Sequence, residues 1–155
     1  MGKEEIKNLI KDLIEKTTLA VKNISIADDT PDNTWFRVEL NEPHFFISRE
    51  GEGLLALNHL VKKIIEANIK EEDAKCNILI DINGFQQKRI DNIRAIAHMM
   101  AERARYFKSN IEVDPMSSFE RRIIHEFLSN ETDLKTESAG FGPSRRVIIK
   151  YIGEI

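Results

Sequence analysis

The sequence predicts an α+β protein built from two small units, residues 1–84 and 85–155. Three observations carry that reading. Apolar residues switch repeatedly between helical and strand spacing. Their order is helix, strand, strand, short turn, helix, strand, then helix, strand, helix, strand, strand. The pair Asn83-Gly84 breaks the chain between the two series. Charge is also divided unevenly: residues 1–85 carry 11 Lys+Arg against 16 Asp+Glu, and residues 86–150 carry 12 against 9. An acidic first half therefore precedes a mildly basic second half, which suggests two units with different surfaces.

In the first unit, Ile6, Leu9, Ile10, Leu13 and Ile14 recur at helical spacing and mark an amphipathic helix. TLAVKNISIA follows as a β-rich stretch. The acidic turn DDTPDN leads into WFRVEL, where Phe36, Val38 and Leu40 alternate with Trp35, Arg37 and Glu39. The two segments read as a hairpin-like pair of strands. A short turn, EPHFFISREGEG, precedes a helix carrying Leu54, Leu57, Val61, Ile64 and Ile65. The charged loop EEDAK then gives way to a third strand, CNILIDI.

The second unit opens on a long helix whose apolar face is Ile90, Ile93, Ile96, Ala97, Met100, Ala101, Ala104 and Phe107. NIEVDP reads as a short strand. A second helix, SSFERRIIHEFL, follows, and KTESAGFGPSRRVIIKYI closes the chain as two strands joined at Gly140, Gly142 and Pro143.

Composition bounds the function. Hydrophobic content of 41% with 32% charged residues is that of a globular domain. No apolar run approaches membrane-spanning length and no signal peptide is visible, so the expected compartment is the cytoplasm, without direct membrane insertion. A lone Cys76 excludes a disulfide framework, and His44, His59, His98 and His125 show no zinc-ligand spacing. No nucleophile–base arrangement, phosphate loop or dinucleotide fingerprint stands out. The expectation is therefore a non-enzyme without cofactor or metal. The net charge of −3 counts against a strongly basic nucleic-acid binder.

The helix SSFERRIIHEFL carries the most chemistry. Ser117 followed three residues later by Glu120 is a capping box, and Pro115 prevents an earlier start. Phe119, Ile123, Ile124, Phe127 and Leu128 share one sector that should be buried. Arg121 and His125 lie one turn apart on the other side. They read either as a solvated face, with Arg122 and Glu126 paired, or as a phosphate site in which a fork-shaped guanidinium and an imidazole sit on a rigid scaffold. A looser ridge on the long helix, Arg94, His98 and Arg105, falls within about 40° by the helical period and reads as a solvated face.

The stretches FISREGEGLLALNHLV, DINGFQQKRIDNI, DPMSSFERRIIHEF and TESAGFGPSRRVII, in this order and spacing, resemble the bacterial Jag (KhpB, SpoIIIJ-associated) family, which joins a KH domain to an Arg-x-x-x-His or R-3-H domain. The resemblance implies a KH-like (type II) α-β-β-α-α-β unit over 1–84 and an R-3-H-like α-β-α-β-β unit over 85–155. It implies single-stranded RNA as the ligand, with single-stranded DNA as an alternative. Arg121 matches the motif arginine and His125 the motif histidine. Arg121 can donate two parallel bonds to phosphate oxygens. His125 can donate to phosphate, stack on a base, or instead anchor its helix to a backbone carbonyl. Arg145 and Arg146 follow the GFGPS turn, and strand alternation sends them to opposite faces. Only one should reach a ligand beside Arg121.

In the KH-like unit the loop aligned with the family's GXXG is Ser48-Arg49-Glu50-Gly51. Ser48 replaces a glycine, so its Cβ restricts backbone approach and positive φ. Glu50 places negative charge where phosphate would lie, with Arg49 partly compensating. This degenerate loop should bind RNA weakly, serve another purpose such as pairing with a partner, or simply join two helices. The leading expectation is a non-catalytic single-stranded RNA-binding protein, an RNA chaperone or post-transcriptional regulator of low sequence specificity. The alternative is a protein-interaction adaptor linked to membrane-protein insertion, cell elongation or sporulation, with a second small KH protein among the candidate partners.

Overall fold

A computed structural model of the chain describes residues 1–30, 33–69 and 77–154, with only the backbone of 29 and 30. The centre of the DDTPDN turn, the EEDAK loop and Cys76 lie outside the described residues. The chain separates into two compact units, Met1–Gln87 and Lys88–Ile155. Both mix helices with a three-stranded sheet, so the class is α+β. Among the described residues no helix is long and apolar enough to cross a membrane.

The first unit contains α1 (Lys3–Glu15), β1 (Val21–Thr30), β2 (Asn33–Leu40), α2 (His44–Asn68) and β3 (Asn77–Ile82). The strands β1 and β2 are antiparallel, as the alternating pattern predicts, and β3 lies parallel to β2 with Phe36 opposite Ile80. A parallel neighbour needs a crossover, and α2 supplies it. Strand alternation turns Ile24, Phe36, Val38, Leu40, Ile80 and Ile82 to one face. Those residues form a single buried cluster with Ile6, Ile10 and Ile14 of α1 and Leu54, Leu57, Val61 and Ile65 of α2. The i, i+4 isoleucines of α1 make that possible.

Two asparagines tie the edges of this unit. Asn58 accepts from the Ile80 N–H at 2.8 Å and donates to the carbonyl of the same residue. Asn83 does the same for Leu40, at 2.8 and 2.9 Å, with its own backbone left-handed at φ 50°. Asp81, buried on β3, accepts from the N–H groups of Gln86 and Gln87 and so caps the next helix.

α2 is two helical pieces joined by a kink at Ser48–Gly51. There the structure corrects one expectation. Ser48 sits at φ −65°, ψ 162°, where its Cβ is harmless. The left-handed residues are Arg49, Glu50 and Gly51, at φ 50°, 58° and 80°. The strain of positive φ therefore falls on Arg49 and Glu50, at about 1 kcal/mol or more each. Gly51 is required: a Cβ there would stand 2.5 Å from the Phe85 ring.

The second unit contains most of α3 (Phe85–Phe107), then β4 (Ile111–Glu112), α4 (Ser118–Phe127), β5 (Leu134–Ala139), a 3₁₀ turn over Gly142–Ser144 and β6 (Arg146–Tyr151). Its sheet has the order β4-β6-β5, all antiparallel. Val147 and Ile149 of β6 are fully buried, and their partners across β5 are Ser138 and Thr136. Arg146, Ile148 and Lys150 therefore face the other side. α4 packs against β5 and β6.

The apolar sectors hold with two exceptions. Ile90, Ile93, Ala97, Ala101 and Ala104 are buried, as are Ile123, Ile124 and Leu128. Phe107 and Phe127, expected in those sectors, are instead 62% and 40% exposed. Each is the last residue of its helix. The Arg94–His98–Arg105 ridge also divides. Arg94 and His98 are exposed, whereas Arg105 is a clamp. Its guanidinium meets Glu102, Glu131 and Asp133, with 2.7 Å from Nε to Asp133. Those carboxylates raise its pKa further above the ordinary arginine value.

Candidate nucleic-acid interface

The N-terminus of α4 is set by the capping box. The Glu120 N–H donates to Ser117 Oγ at 3.3 Å, and the Ser117 N–H donates to Glu120 Oε2 at 3.0 Å. Glu120 also accepts from Arg89 of α3, at 2.9 Å from Nε and 2.7 Å from Nη2. Burial pushes its carboxyl up, but the Arg89 guanidinium and the Ser117 N–H outweigh burial and hold it below the usual range. This locks the angular position of α4, and with it the direction of Arg121 and His125.

Arg121 is half-buried and donates from Nη1 to the carbonyl of Met116 at 2.6 Å. Among the described residues that is the one hydrogen bond its guanidinium makes, so Nε and Nη2 keep donors for a ligand. The Met116 N–H in turn donates to the Arg145 carbonyl at 3.2 Å. Met116 thus links Arg121 to Arg145, a pairing that sequence spacing does not reveal. The Arg145 guanidinium donates from Nη1 to the Gly140 carbonyl at 3.0 Å, which lays it along the GFGPS turn.

Arg146 is placed apart from them. It begins β6 on the face turned away from Val147 and Ile149, where its guanidinium lies 3.4 Å from Glu112. With Ala139, Gly140, Ser144 and Ile148 this pair lines a shallow depression on that face. The solvated face expected beside Arg121 is also present: Arg122 pairs with Glu126 at 3.1 Å, and both are largely exposed.

His125 is occupied. Its Nδ1 lies 2.7 Å from Thr136 Oγ1 and its Nε2 lies 2.9 Å from Ser138 Oγ. These hydroxyls stand two apart on β5, on the face that Val147 and Ile149 share. The ring is a latch between α4 and β5, made to hydroxyls where the sequence suggests a backbone carbonyl. Burial, and then the positive charge of Arg121, lower its pKa below the ordinary histidine value. That shift favours the uncharged imidazole, and with both ring nitrogens engaged, direct donation to phosphate would require it to give up a hydroxyl. Thr136 and Ser138 were legible only as alternating hydroxyls in KTESA, a weak signal without the knowledge that α4 lies above them.

Residues 91–151 match the R-3-H domain family. The second unit is an R-3-H domain. That domain thus covers most of α3 and everything through β6, including Arg121, His125, Arg145 and Arg146. Beyond it, the chain is 29% identical over 103 residues to the RNA-binding protein KhpB of Clostridium symbiosum, a stretch covering 66% of this chain and 45% of that protein. It is 29% identical over 107 residues to KhpB of Bacillus subtilis (strain 168), covering 68% and 50%. Against KhpB of Streptococcus pneumoniae (strain ATCC BAA-255 / R6) it is 26% identical over 113 residues, covering 73% and 34%. The chain is a relative of these KhpB proteins and spans half or less of their length. Among the described residues no three His, Cys, Asp or Glu side chains gather into a metal-binding cluster.

Proposed function

We propose that this chain is a non-catalytic, single-stranded RNA-binding protein that acts in the cytoplasm and holds its ligand mainly through the R-3-H domain. The observation that carries the reading is the half-engaged Arg121 guanidinium, linked through Met116 to Arg145. Two arginines whose segments are bridged through Met116, on backbone pinned by hydrogen bonds, suit a sugar–phosphate strand. The KhpB relatives, named as RNA-binding proteins, support the same ligand class. His125 serves here as a positioning residue, holding α4 on β5, and Arg146 stands outside the contact. Phosphate contacts dominate such binding, so sequence preference is slight and salt dependence strong. The test is a titration of fluorescent single-stranded RNA at several salt concentrations. Equal affinity and equal salt slope for wild type and Arg121→Ala would refute the site.

A second reading, a protein-interaction adaptor, has its own support in the first unit. That unit is the acidic half, its Ser48–Gly51 loop carries Glu50, and Phe45, Leu55 and Leu60 of α2 are exposed. A pull-down with the full chain carrying Leu55→Glu and Leu60→Glu tests it. Loss of captured partners with unchanged RNA affinity supports the adaptor role, and unchanged capture refutes it.

A further inference from the structure

The GFGPS turn presents a side chain that phosphate binding leaves unused. Phe141 is 90% exposed, the most exposed of the large hydrophobic residues among the described residues. It sits between Gly140 at φ 94° and Gly142 at φ 55°. The turn beneath it is pinned from several sides. The Phe141 carbonyl accepts the Ser144 N–H at 3.2 Å and the Ser144 hydroxyl at 2.8 Å. The Arg145 N–H donates to the Gly142 carbonyl at 3.2 Å, and the Arg145 guanidinium donates to the Gly140 carbonyl at 3.0 Å. A Cβ on Gly140 would stand 3.1 Å from the Ser144 carbonyl, so the turn is also closely packed.

The result is an aromatic ring in water on a rigid mount. A solitary exposed phenylalanine is ordinary on a protein surface; its place is what gives this one a use. Its mount is bonded to the Arg145 guanidinium, and Arg145 is joined through Met116 to Arg121. An aromatic face beside guanidiniums is the combination that holds single strands, because every base has a π-face while the backbone needs cations. We propose that Phe141 is a base-stacking platform, taking a nucleobase of the strand whose phosphates Arg121 and Arg145 hold. The inference rests on the RNA-binding reading and adds to it a reason for single-strand preference: in a duplex the bases are already stacked and their faces are closed to Phe141. It also implies tolerance of base identity, since stacking reads no hydrogen-bond pattern.

The test uses the full chain with two fluorescent probes of equal length, a mixed-sequence single-stranded RNA and an abasic ribose-phosphate strand. Phe141→Ala should weaken binding of the base-bearing strand about five- to a hundredfold, leaving the salt slope and the abasic affinity unchanged. Phe141→Trp should restore affinity, and its fluorescence should be quenched by the base-bearing strand and not by the abasic one. If Phe141→Ala weakens both probes equally, the residue acts by shaping the turn and the platform is refuted. Should Phe141→Ala bind like wild type while Arg121→Ala is weakened, or should Phe141 prove to capture a protein with no effect on RNA, the platform falls and the RNA-binding reading stands. If neither variant changes affinity for RNA, that reading fails and the platform fails with it.

Discussion

The His125 imidazole reaches from α4 to β5 and meets Thr136, with Nδ1 2.7 Å from the threonine hydroxyl, while Ser138 takes the opposite nitrogen at 2.9 Å. A motif histidine that looks like a ligand group on its own helix is a latch in the folded unit. His125→Ala should lower the unfolding free energy by about 1–2 kcal/mol, because two half-buried hydroxyls lose their partner. Thr136→Val with Ser138→Ala should cost less in that background than in wild type, since the hydroxyls are then already unpartnered. Chemical denaturation of the four proteins measures the coupling, and strict additivity would contradict the latch.

The same residue sets a pH dependence. Its folded pKa is lowered, by burial first and by Arg121 second. Above the unfolded value of about 6.5 both states hold a neutral ring and no penalty exists. As pH falls below that value the unfolded chain takes up a proton that the folded chain refuses, so stability declines until the lowered folded pKa is reached. Urea denaturation between pH 7.5 and pH 5 should show this slope in wild type and lose it in His125→Ala.

Arginine substitutions should separate the two faces of the R-3-H sheet. Arg121→Ala should weaken RNA binding about tenfold or more, the worth of charge-assisted bonds to phosphate, and reduce the salt slope by about one contact. Arg145→Ala should act in the same direction. Arg146→Ala should change affinity less than about twofold, because its guanidinium faces the opposite side and pairs with Glu112. An RNA titration over a salt series decides the ranking.

Glu120 should be a sensitive charged position for stability. It closes the capping box and pairs with Arg89, with side-chain exposures of 12% and 27% for the two partners. Glu120→Ala should cost about 2 kcal/mol, through the lost cap and a guanidinium left partly buried. Glu120→Gln keeps the cap and should cost less. The folded carboxyl pKa is depressed, so its contribution is present above the unfolded value of about 4.3 and is lost as pH falls through the lower folded value. Thermal melts of the two variants at pH 7 and pH 4 check both statements.

The Ser48–Gly51 kink offers a gain-of-function test. Glu50→Gly removes a negative charge and a non-glycine residue at φ 58°. RNA affinity should rise by up to about fivefold if that charge repels phosphate. Gly51→Ala should instead destabilise by about 2 kcal/mol or more, since the position has φ 80° and a Cβ would meet Phe85 at 2.5 Å. Denaturation and RNA titration of both variants provide the readout.

Much of this was legible in residue patterns because the deciding forces are local. The Ser117–Glu120 cap, the i, i+4 isoleucines of α1, the alternation of WFRVEL and the glycine turn before β6 each depend on residues a few positions apart. The two misplaced phenylalanines mark where local periodicity ends. Phe107 and Phe127 keep the phase of their helices yet are exposed, while Leu128 one residue further on is buried, so burial at a helix end depends on the neighbouring segments and not on helical phase alone. The kink at Ser48 shows a related limit. The family resemblance told which residue had replaced glycine, but only the backbone path showed that the left-handed positions are the next three.

What the sequence determined by itself was the set of elements, their apolar sides, and the placement of Arg121 and His125 one turn apart. What the tertiary structure alone decided was the use of those groups: His125 spent on β5 hydroxyls, Arg145 joined to Arg121 through Met116, and Arg146 sent to the other face. Helix periodicity is a property of a few consecutive residues. Which strand lies beneath a helix, and in what register, depends on hydrogen bonds between segments far apart in the chain.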